Sequence, residues 1–261
     1  MARVSVEYKD HIAHVTLTRG DKMNALDDEM IKGIIAAGHE VAASKARAAV
    51  LAGEGKAFCA GLDLMSFAKM GQMDPEEWLM ARSFDDANEV QEVAMAWRRV
   101  PVPVIAAVQG VCFGGGLQLA LGADIRIAAP DARFSVMEMK WGIVPDMGGM
   151  ALLPRLLRSD VLRRLTYTAE VFEAPQALDW GLVTEVSDDP LAAAQALAAE
   201  IAGKNPEGIR AAKRLIGVAE TADQATVLMG ESREQVALIG TPNQMEAIAA
   251  QMQKRPPQFK D

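Results

Sequence analysis

Two carboxylates, Glu138 and Asp146, stand eight residues apart on either side of a turn that contains glycine and proline. Most of their neighbours are apolar, with Met, Trp, Ile and Val side chains in the same segment. An apolar environment disfavours the charged form of a carboxyl group and raises its pKa, which suits the group to proton transfer near neutral pH. We therefore expect the two acids to face one substrate from different sides. A structural role is the alternative: Glu138 would pair with Lys140 or an arginine, and Asp146 would cap the turn before Gly148.

Two glycine-rich segments could bind an anion through the main chain. Gly114, Gly115 and Gly116 stand between an apolar run and a short apolar helix pattern, where free N–H groups would meet the positive end of the helix dipole. Ala60 and Gly61 lie in a loop whose small side chains let a ligand approach the backbone. The spacing matches neither the GxGxxG dinucleotide fingerprint nor a P-loop nor a GxSxG elbow. The segments thus favour donors to an anionic oxygen over a nucleotide site, although an ordinary turn would also explain Ala60 and Gly61.

The positions of these groups depend on a series of strands followed by helices. Apolar residues alternate at 4–8 and 13–18, which predicts a hairpin with its turn near 9–11. Apolar residues spaced three and four apart over 26–41 predict an amphipathic helix. The remaining predicted elements are strands at 48–51, 102–108, 124–128 and 134–136, a helix from an Asp74 cap to about Trp97, a short helix that ends near Gly122, and mostly helices from Ser159 onward. Strands dominate the first half and helices the last third, which indicates an α/β fold.

Composition excludes several classes of protein. The chain has 261 residues, of which 50% are hydrophobic, and its formal net charge is −8, so it offers no general electrostatic attraction to nucleic acid. Glutamines and glycines interrupt the longest apolar stretches, so we expect no membrane span. The amino terminus leads directly into a strand pattern rather than a signal peptide, which favours a cytoplasmic location.

The cysteines and histidines suggest no metal or redox chemistry. Cys59 and Cys112 lack CxxC spacing and lie in apolar surroundings, so we expect two buried, unpaired thiols. His11, His14 and His39 all lie near the amino terminus, away from the glycine-rich segments. We therefore expect neither a zinc site nor a Ser-His-Asp triad.

Taken in order, these features resemble the enoyl-CoA hydratase/isomerase, or crotonase, superfamily across essentially the whole chain. The segments that carry the resemblance are Asn24-Ala25-Leu26, AFCAGLDL at 57–64, VPVIAAVQGVCFGGGLQLALGADIRIA at 102–128, and the stretches 134–149, 174–183 and QKRPPQF at 253–259. The resemblance implies a ClpP/crotonase-like spiral of ββα units over residues 1–200, which would hold the acyl-CoA site. It also implies a helical region over 201–261 that contacts CoA and assembles the chain into a homo-trimer or a dimer of trimers.

The resemblance also assigns roles to individual residues. The thioester carbonyl would accept hydrogen bonds from the backbone N–H groups of Ala60 and Gly115, which form an oxyanion hole. The implied substrate and CoA contacts are Lys22, Met23, Ala25, Leu26, Ala60, Gly61, Leu62, Asp63, Leu64, Gly114 and Lys254. A basic cluster of Lys22, Lys56 and Lys254 would meet the CoA phosphates. A pliable acyl-chain lining, or alternatively core filling, is expected of Met65, Met70, Met73, Met137 and Met147. No cofactor and no metal are expected, since CoA is part of the substrate.

Gln118 is the most informative departure from the family pattern. Hydratases of the superfamily carry glutamates at the positions of Gln118 and Glu138, and glutamine can orient water but cannot accept its proton. Dienoyl-CoA isomerases are similar to this chain at Asp146 but tend to have an aspartate in place of Gln118. The resemblance therefore implies double-bond isomerisation, with Glu138, Asp146 and Gln118 as catalytic residues. Hydration of a 2-enoyl-CoA and acyl-CoA binding without turnover are the alternatives.

Overall fold

Nine strands form two sheets in the computed structural model, which describes residues 2–66, 72 and 74–261. In chain order these strands are β1 Val4–Lys9, β2 Ile12–Leu17, β3 Ala48–Gly53, β4 Val104–Val108, β5 Val111–Phe113, β6 Ile125–Ala128, β7 Arg133–Ser135, β8 Phe172–Glu173 and β9 Glu185–Val186. The larger sheet has the order β1-β2-β3-β4-β6-β9, and the smaller has the order β5-β7-β8. In the larger sheet only the β1–β2 hairpin is antiparallel. The carboxyl ends of β2, β3, β4, β6 and β9 therefore meet at one edge.

Helices surround the sheets and continue to the end of the chain. In the described residues they are α1 Asp28–Ala43, α2 Pro75–Met80, α3 Glu89–Arg99, α4 Gly115–Leu121, α5 Gly149–Leu152, α6 Ser159–Thr168, α7 Ala174–Asp179, α8 Pro190–Ala202, α9 Pro206–Ala219, α10 Gln224–Leu238 and α11 Pro242–Gln253. Single turns of 3-10 helix lie at Gly20–Lys22, Glu138–Trp141 and Leu153–Arg155. The α/β class predicted from the sequence is confirmed.

The parallel strands are buried on both faces, which explains their continuous apolar sequences. Successive side chains of a strand point to opposite faces. In β3, Ala49 and Leu51 join the core under α1 and α3, whereas Val50 joins a second core under α8. Trp97 of α3 is fully buried in the first core. Each large apolar side chain buried in this way stabilises the fold by roughly 1.5–3 kcal/mol.

Most predicted elements are confirmed, but the helix expected from Asp74 to Trp97 is wrong. Two helices occupy this stretch, because the backbone is extended at Ala81 and Asn88 starts α3 anew. The Asn88 side chain accepts from the N–H of Gln91 while the Gln91 side chain accepts from the N–H of Asn88, which is a capping box. The short strand β5 was also missed, since three residues beside a glycine run give no periodic signal.

The carboxyl-terminal helices are tied to the amino-terminal edge of the parallel strands. Lys213 of α9 donates to Asp124 at 2.7 Å and to the carbonyl of Val102 at 2.9 Å. Arg47, which directly precedes β3, binds the terminal Asp261 at 2.7 Å. A division into units at residue 200 stays a prediction. Within the described part of the chain, no helix has both the length and the apolar character required to cross a bilayer.

Candidate active site

A cavity of about 820 Å³ opens where the chain leaves the carboxyl ends of β2, β3 and β5. Ligands commonly bind at this edge of an open α/β sheet. The cavity brings together most of the residues predicted to act on the substrate, namely Lys22, Met23, Ala25, Ala60, Gly61, Leu62, Asp63, Leu64, Gly114, Gly115, Glu138 and Asp146. Its wall also contains residues that sequence reasoning missed, namely Arg19, Asp28, Ile31, Lys32, Trp78, Glu89, Val90, Lys140, Trp141 and Ile143.

A short parallel pairing joins the segment after β2 to the loop after β3. The N–H of Leu26 donates to the carbonyl of Gly61 at 2.8 Å, and the N–H of Asp63 donates to the carbonyl of Leu26 at 3.0 Å. Leu26 itself is buried and does not line the cavity, so its predicted contact with the ligand is wrong. Its role is to hold the cavity wall, because its backbone fixes the conformation of residues 61–63.

Arg19 neutralises the acidic residue in this loop. Its guanidinium binds Asp63 at 2.7 Å and the carbonyl of Ala25 at 2.9 Å. The N–H of Met65 also donates to Asp63, and these hydrogen bonds together lower the pKa of the Asp63 carboxyl. Asp63 is therefore an anion paired with a cation. An anionic ligand entering the cavity would meet a neutral pair here rather than a free negative charge.

The structure corrects the expected pair of backbone donors. The N–H of Ala60 donates to the carbonyl of Met23 at 2.9 Å, so it is not free, and its assignment to an oxyanion hole is wrong. Leu62 lies two residues further along the cavity wall. Because residues 61 and 63 bond to Leu26 on one side, the N–H of Leu62 points to the other side of this extended segment. Within the described ranges, no acceptor is bonded to the N–H of Leu62.

Gly115 also has an unused backbone N–H, and its predicted role as a donor to the ligand stays a prediction. It begins α4, so its N–H has no partner inside the helix, and none of the described residues accepts from it. Gly61 has a φ of +89° and lies directly against this junction. A methyl group added to Gly61 would lie 2.6 Å from the carbonyl oxygen of Phe113 and 3.7 Å from the nitrogen of Gly115. Two unused N–H groups, on Leu62 and Gly115, therefore lie on neighbouring segments of the cavity wall.

Glu138 and Asp146 meet the same cavity in an apolar setting. Burial raises the pKa of Glu138, and the charge of nearby Asp146 raises it further. Burial also raises the pKa of Asp146. Within residues 2–66, 72 and 74–261, no lysine or arginine forms an ion pair with Glu138, and Lys140 lies over the ring of Trp141 instead. The structural alternative for Glu138 is therefore not observed.

Gln118 lies behind the acids rather than in the cavity wall. It is buried, and its Nε2 donates to Oε1 of Glu138 at 2.6 Å. Its Oε1 accepts from the N–H groups of Met147 at 2.8 Å and Gly149 at 2.9 Å. The other oxygen of Glu138, Oε2, is buried and has no hydrogen-bond partner among the described residues. Direct contact of Gln118 with a substrate is therefore not supported, and its contacts run to the two carboxylate-bearing segments.

The predicted basic cluster is only partly present. Lys22 lines the cavity, whereas Lys56 does not. Lys254 ends α11, and the chain beyond it is bound to Asn243 and to Arg47, at the edge of the sheet away from the cavity. Lys254 does not line the cavity of its own chain, and its predicted contact with CoA stays a prediction. Lys32 supplies further positive charge in the cavity wall, whereas Arg19 is paired with Asp63, and no short sequence motif marks either residue.

The other candidate side chains fall into place as follows. Met65, Met137 and Met147 line the cavity, while the predictions for Met70 and Met73 lie outside the described residues. Cys59 and Cys112 are buried and unpaired, as predicted, and burial raises the pKa of Cys59 to about 12. The described residues hold no group of three or more His, Cys, Asp or Glu side chains placed to bind a metal.

Comparison with known proteins identifies the family. The sequence model described as Enoyl-CoA hydratase/isomerase matches residues 7–261. The chain belongs to the enoyl-CoA hydratase/isomerase family. Within that family it is 32% identical over 266 residues to the mitochondrial Delta(3,5)-Delta(2,4)-dienoyl-CoA isomerase of Mus musculus, which covers 94% of this chain and 77% of the mouse protein. It is 33% identical over 215 residues to the (E)-benzylidenesuccinyl-CoA hydratase of Thauera aromatica, with 81% and 80% of the two chains covered.

A solved structure in the same family has the same fold. The crystal structure of an enoyl-CoA hydratase from Bacillus anthracis matches with a TM-score of 0.88 at 31% identity and covers 99% of both chains. The crotonase-type fold predicted from the sequence is thereby confirmed. Relatives named as isomerases and as hydratases are about equally similar to this chain, so identity does not separate the two reactions.

Proposed function

We propose that this protein is an acyl-CoA enzyme that shifts a double bond of an enoyl thioester by proton transfer between Asp146 and Glu138. The observation that carries the proposal is the presence, in one cavity, of two unneutralised carboxyl groups and two unused N–H donors. Burial raises the pKa of both acids, and a shift in this direction favours proton exchange with a substrate. A protein that only binds acyl-CoA has no use for two such acids.

The backbone donors would make the acyl chain acidic. With the thioester oxygen between the N–H groups of Leu62 and Gly115, loss of a proton from the adjacent carbon gives an enolate whose oxygen both groups bind. A preorganised donor of this kind stabilises the developing oxyanion by about 3–4 kcal/mol. Removal of the proton then comes within the range of a carboxylate base.

The two acids would share the proton transfer. Asp146, as the carboxylate, takes a proton from a carbon near the thioester, and electrons move along the conjugated chain. Glu138 gives its proton to a carbon farther along, so Asp146 ends protonated and Glu138 ends ionised. Exchange with water restores both groups before the next turnover. Solvent hydrogen should therefore enter the acyl chain.

The mouth of the cavity suits the remainder of a CoA thioester. Lys22 and Lys32 supply positive charge for phosphates, and Arg19 cancels the charge of Asp63. No cofactor is needed for this chemistry. The trimeric assembly and the cytoplasmic location stay predictions.

Hydration of a 2-enoyl-CoA is the second candidate, supported by the similarity to the Thauera aromatica hydratase. Water addition needs a group that accepts the proton of water, and the amide of Gln118 cannot do so. Glu138 alone would have to serve, with water held beside it. Isomerisation is the better supported reaction because Asp146 gives Glu138 a partner acid.

The test uses 2-enoyl-, 3-enoyl- and 3,5-dienoyl-CoA thioesters in deuterated water. Mass spectrometry follows both deuterium uptake and hydration. We expect uptake with a shifted double bond, lowered about 10²- to 10⁴-fold by Glu138→Gln and by Asp146→Asn. The exposed acid Asp131 offers a matched control, since Asp131→Asn makes the same chemical change away from the cavity. Hydration that survives Asp146→Asn would contradict isomerisation, and no uptake from any thioester would leave only binding.

A further inference from the structure

One buried side chain, Gln118, connects both halves of the acid pair. It bonds to Glu138 on one side and to the backbone of Met147 and Gly149 on the other. Met147 directly follows Asp146 in sequence, so the bonds to the backbone fix the turn that carries the second acid. A single amide therefore sets the position of each carboxyl group relative to the other.

The orientation of this amide is determined by the backbone. Two N–H groups converge on one end of the Gln118 side chain at 2.8 and 2.9 Å, and only an oxygen can accept from both. The NH₂ end must then face Glu138. Glu138 Oε1 consequently accepts a hydrogen bond in every protonation state of the acid, and a flip of the amide would break three bonds at once.

The second oxygen of Glu138 is thereby singled out. Oε2 is buried without a partner among the described residues, while Oε1 is held by Gln118. A proton on Oε1 would point at the NH₂ donor, whereas a proton on Oε2 meets no competing donor. The other titratable group that acts on Glu138 is Asp146, and Lys140, on the same turn as Glu138, lies over Trp141.

We propose that Gln118 is a positioning residue that directs the exchangeable proton of Glu138 to Oε2 and holds Asp146 in register with it. The inference rests on the proposed function, because it gives Glu138 and Asp146 their relative positions in the proposed proton transfer. It also explains the amide at this position. A neutral group that donates to Glu138 cannot compete with it for the proton.

Two substitutions separate positioning of the proton from support of the turn. Gln118→Glu keeps an oxygen for the N–H groups of Met147 and Gly149 but places a second oxygen against Oε1 of Glu138. Two carboxylate oxygens at this separation require a proton between them, so the proton of Glu138 would move to Oε1. Gln118→Met removes all three hydrogen bonds and tests the turn as well.

The experiment combines an infrared titration of the protein alone with deuterium exchange into the acyl thioesters. The carboxyl band that is lost in Glu138→Gln identifies Glu138. We expect Gln118→Glu to retain that band to higher pH, with its midpoint raised by about one pH unit or more. The same variant should lower the exchange that accompanies a shifted double bond at least tenfold, scored apart from any hydration, while its melting temperature stays near that of the parent. Gln118→Met should lower both exchange and melting temperature.

The outcomes distinguish this inference from the proposed function. An unchanged infrared midpoint in Gln118→Glu, with exchange intact, would overturn the positioning role and leave Gln118 as support for the turn. A shifted midpoint in a protein that exchanges no thioester hydrogen would support the coupling of Gln118 to Glu138 and would refute the isomerase assignment. Because the titration needs no substrate, the two failures cannot be confused.

Discussion

Replacement of single backbone amides by esters would test which N–H groups bind the thioester oxygen. An ester at Leu62 replaces its N–H by an oxygen and leaves the side chain intact. No hydrogen bond among the described residues uses this N–H, so the expected cost to folding comes from the carbonyl of Gly61, which becomes a weaker acceptor for Leu26. Weakening this one hydrogen bond should lower the free energy of unfolding by at most about 0.5–1.5 kcal/mol. Loss of an oxyanion donor lowers kcat by about 10²- to 10³-fold.

The matched control is the same replacement at Ala60. It also weakens one carbonyl, that of Cys59, which accepts from Phe113 at 3.1 Å. In addition it removes the N–H that donates to Met23 at 2.9 Å. We therefore expect the Ala60 ester to be less stable than the Leu62 ester by about 0.5–1.5 kcal/mol. Its activity should stay within about threefold of the parent, since this N–H is not available to a ligand.

Denaturant unfolding and kcat/KM for the accepted thioester give the two quantities independently. We expect the Leu62 ester to lose activity and keep its stability. We expect the Ala60 ester to lose stability and keep its activity. Equal losses of activity at both positions, or a larger loss at Ala60, would refute the assignment of Leu62 as the donor.

Two further changes test the packing and the titration of the site. Gly61→Ala should destabilise the fold by about 1–3 kcal/mol and reduce activity, because φ is +89° and the methyl group would lie 2.6 Å from the Phe113 carbonyl oxygen. Gly240→Ala is the control, since Gly240 has a φ of +79° but open space around it. An equal loss of stability in both variants would contradict the close contact at Gly61. Glu138→Gln should raise the melting temperature near pH 7 and above. The pKa of Glu138 is higher in the folded protein than in the unfolded chain, so the stability that is present below the unfolded pKa is lost as pH rises through the folded pKa. Glutamine carries no charge at any pH and avoids this loss. The difference should vanish as pH falls toward about 4, and a constant difference would argue against burial of the charge.

Sequence patterns predicted the residues with strong local signals. The glycine triplet after an apolar strand indicated Gly115, and two acids among apolar neighbours indicated Glu138 and Asp146; all three line the cavity. The prediction of Ala60 as a donor failed because the directions of the N–H groups depend on pairing with Leu26, which is 36 residues away from Leu62 in the chain. No local pattern contains that information.

Contacts between residues distant in sequence explain the other features that the sequence did not predict. Arg19 enters the cavity wall through its bond to Asp63, and neither residue has a motif that links it to the other. Lys254 lies outside the lining of its own chain's cavity, because the chain end packs against Arg47. The contacts of Gln118 could not be predicted, since its residue type excludes a base but its three hydrogen-bond partners appear only in the fold.

Backbone hydrogen bonds between the segments of Cys59 and Cys112 fix the distance between the two donors. The N–H of Cys59 donates to the carbonyl of Val111, and the N–H of Phe113 donates back to Cys59, each at 3.1 Å. Leu62 lies three residues after Cys59, and Gly115 lies three residues after Cys112. Insertion of one residue into 59–62 or into 112–115 would displace one donor and leave the other in place. The rest of the cavity wall does not set the distance between the two N–H groups. Substitutions elsewhere in the cavity wall could therefore change the space for the acyl chain without changing the distance between the two donors.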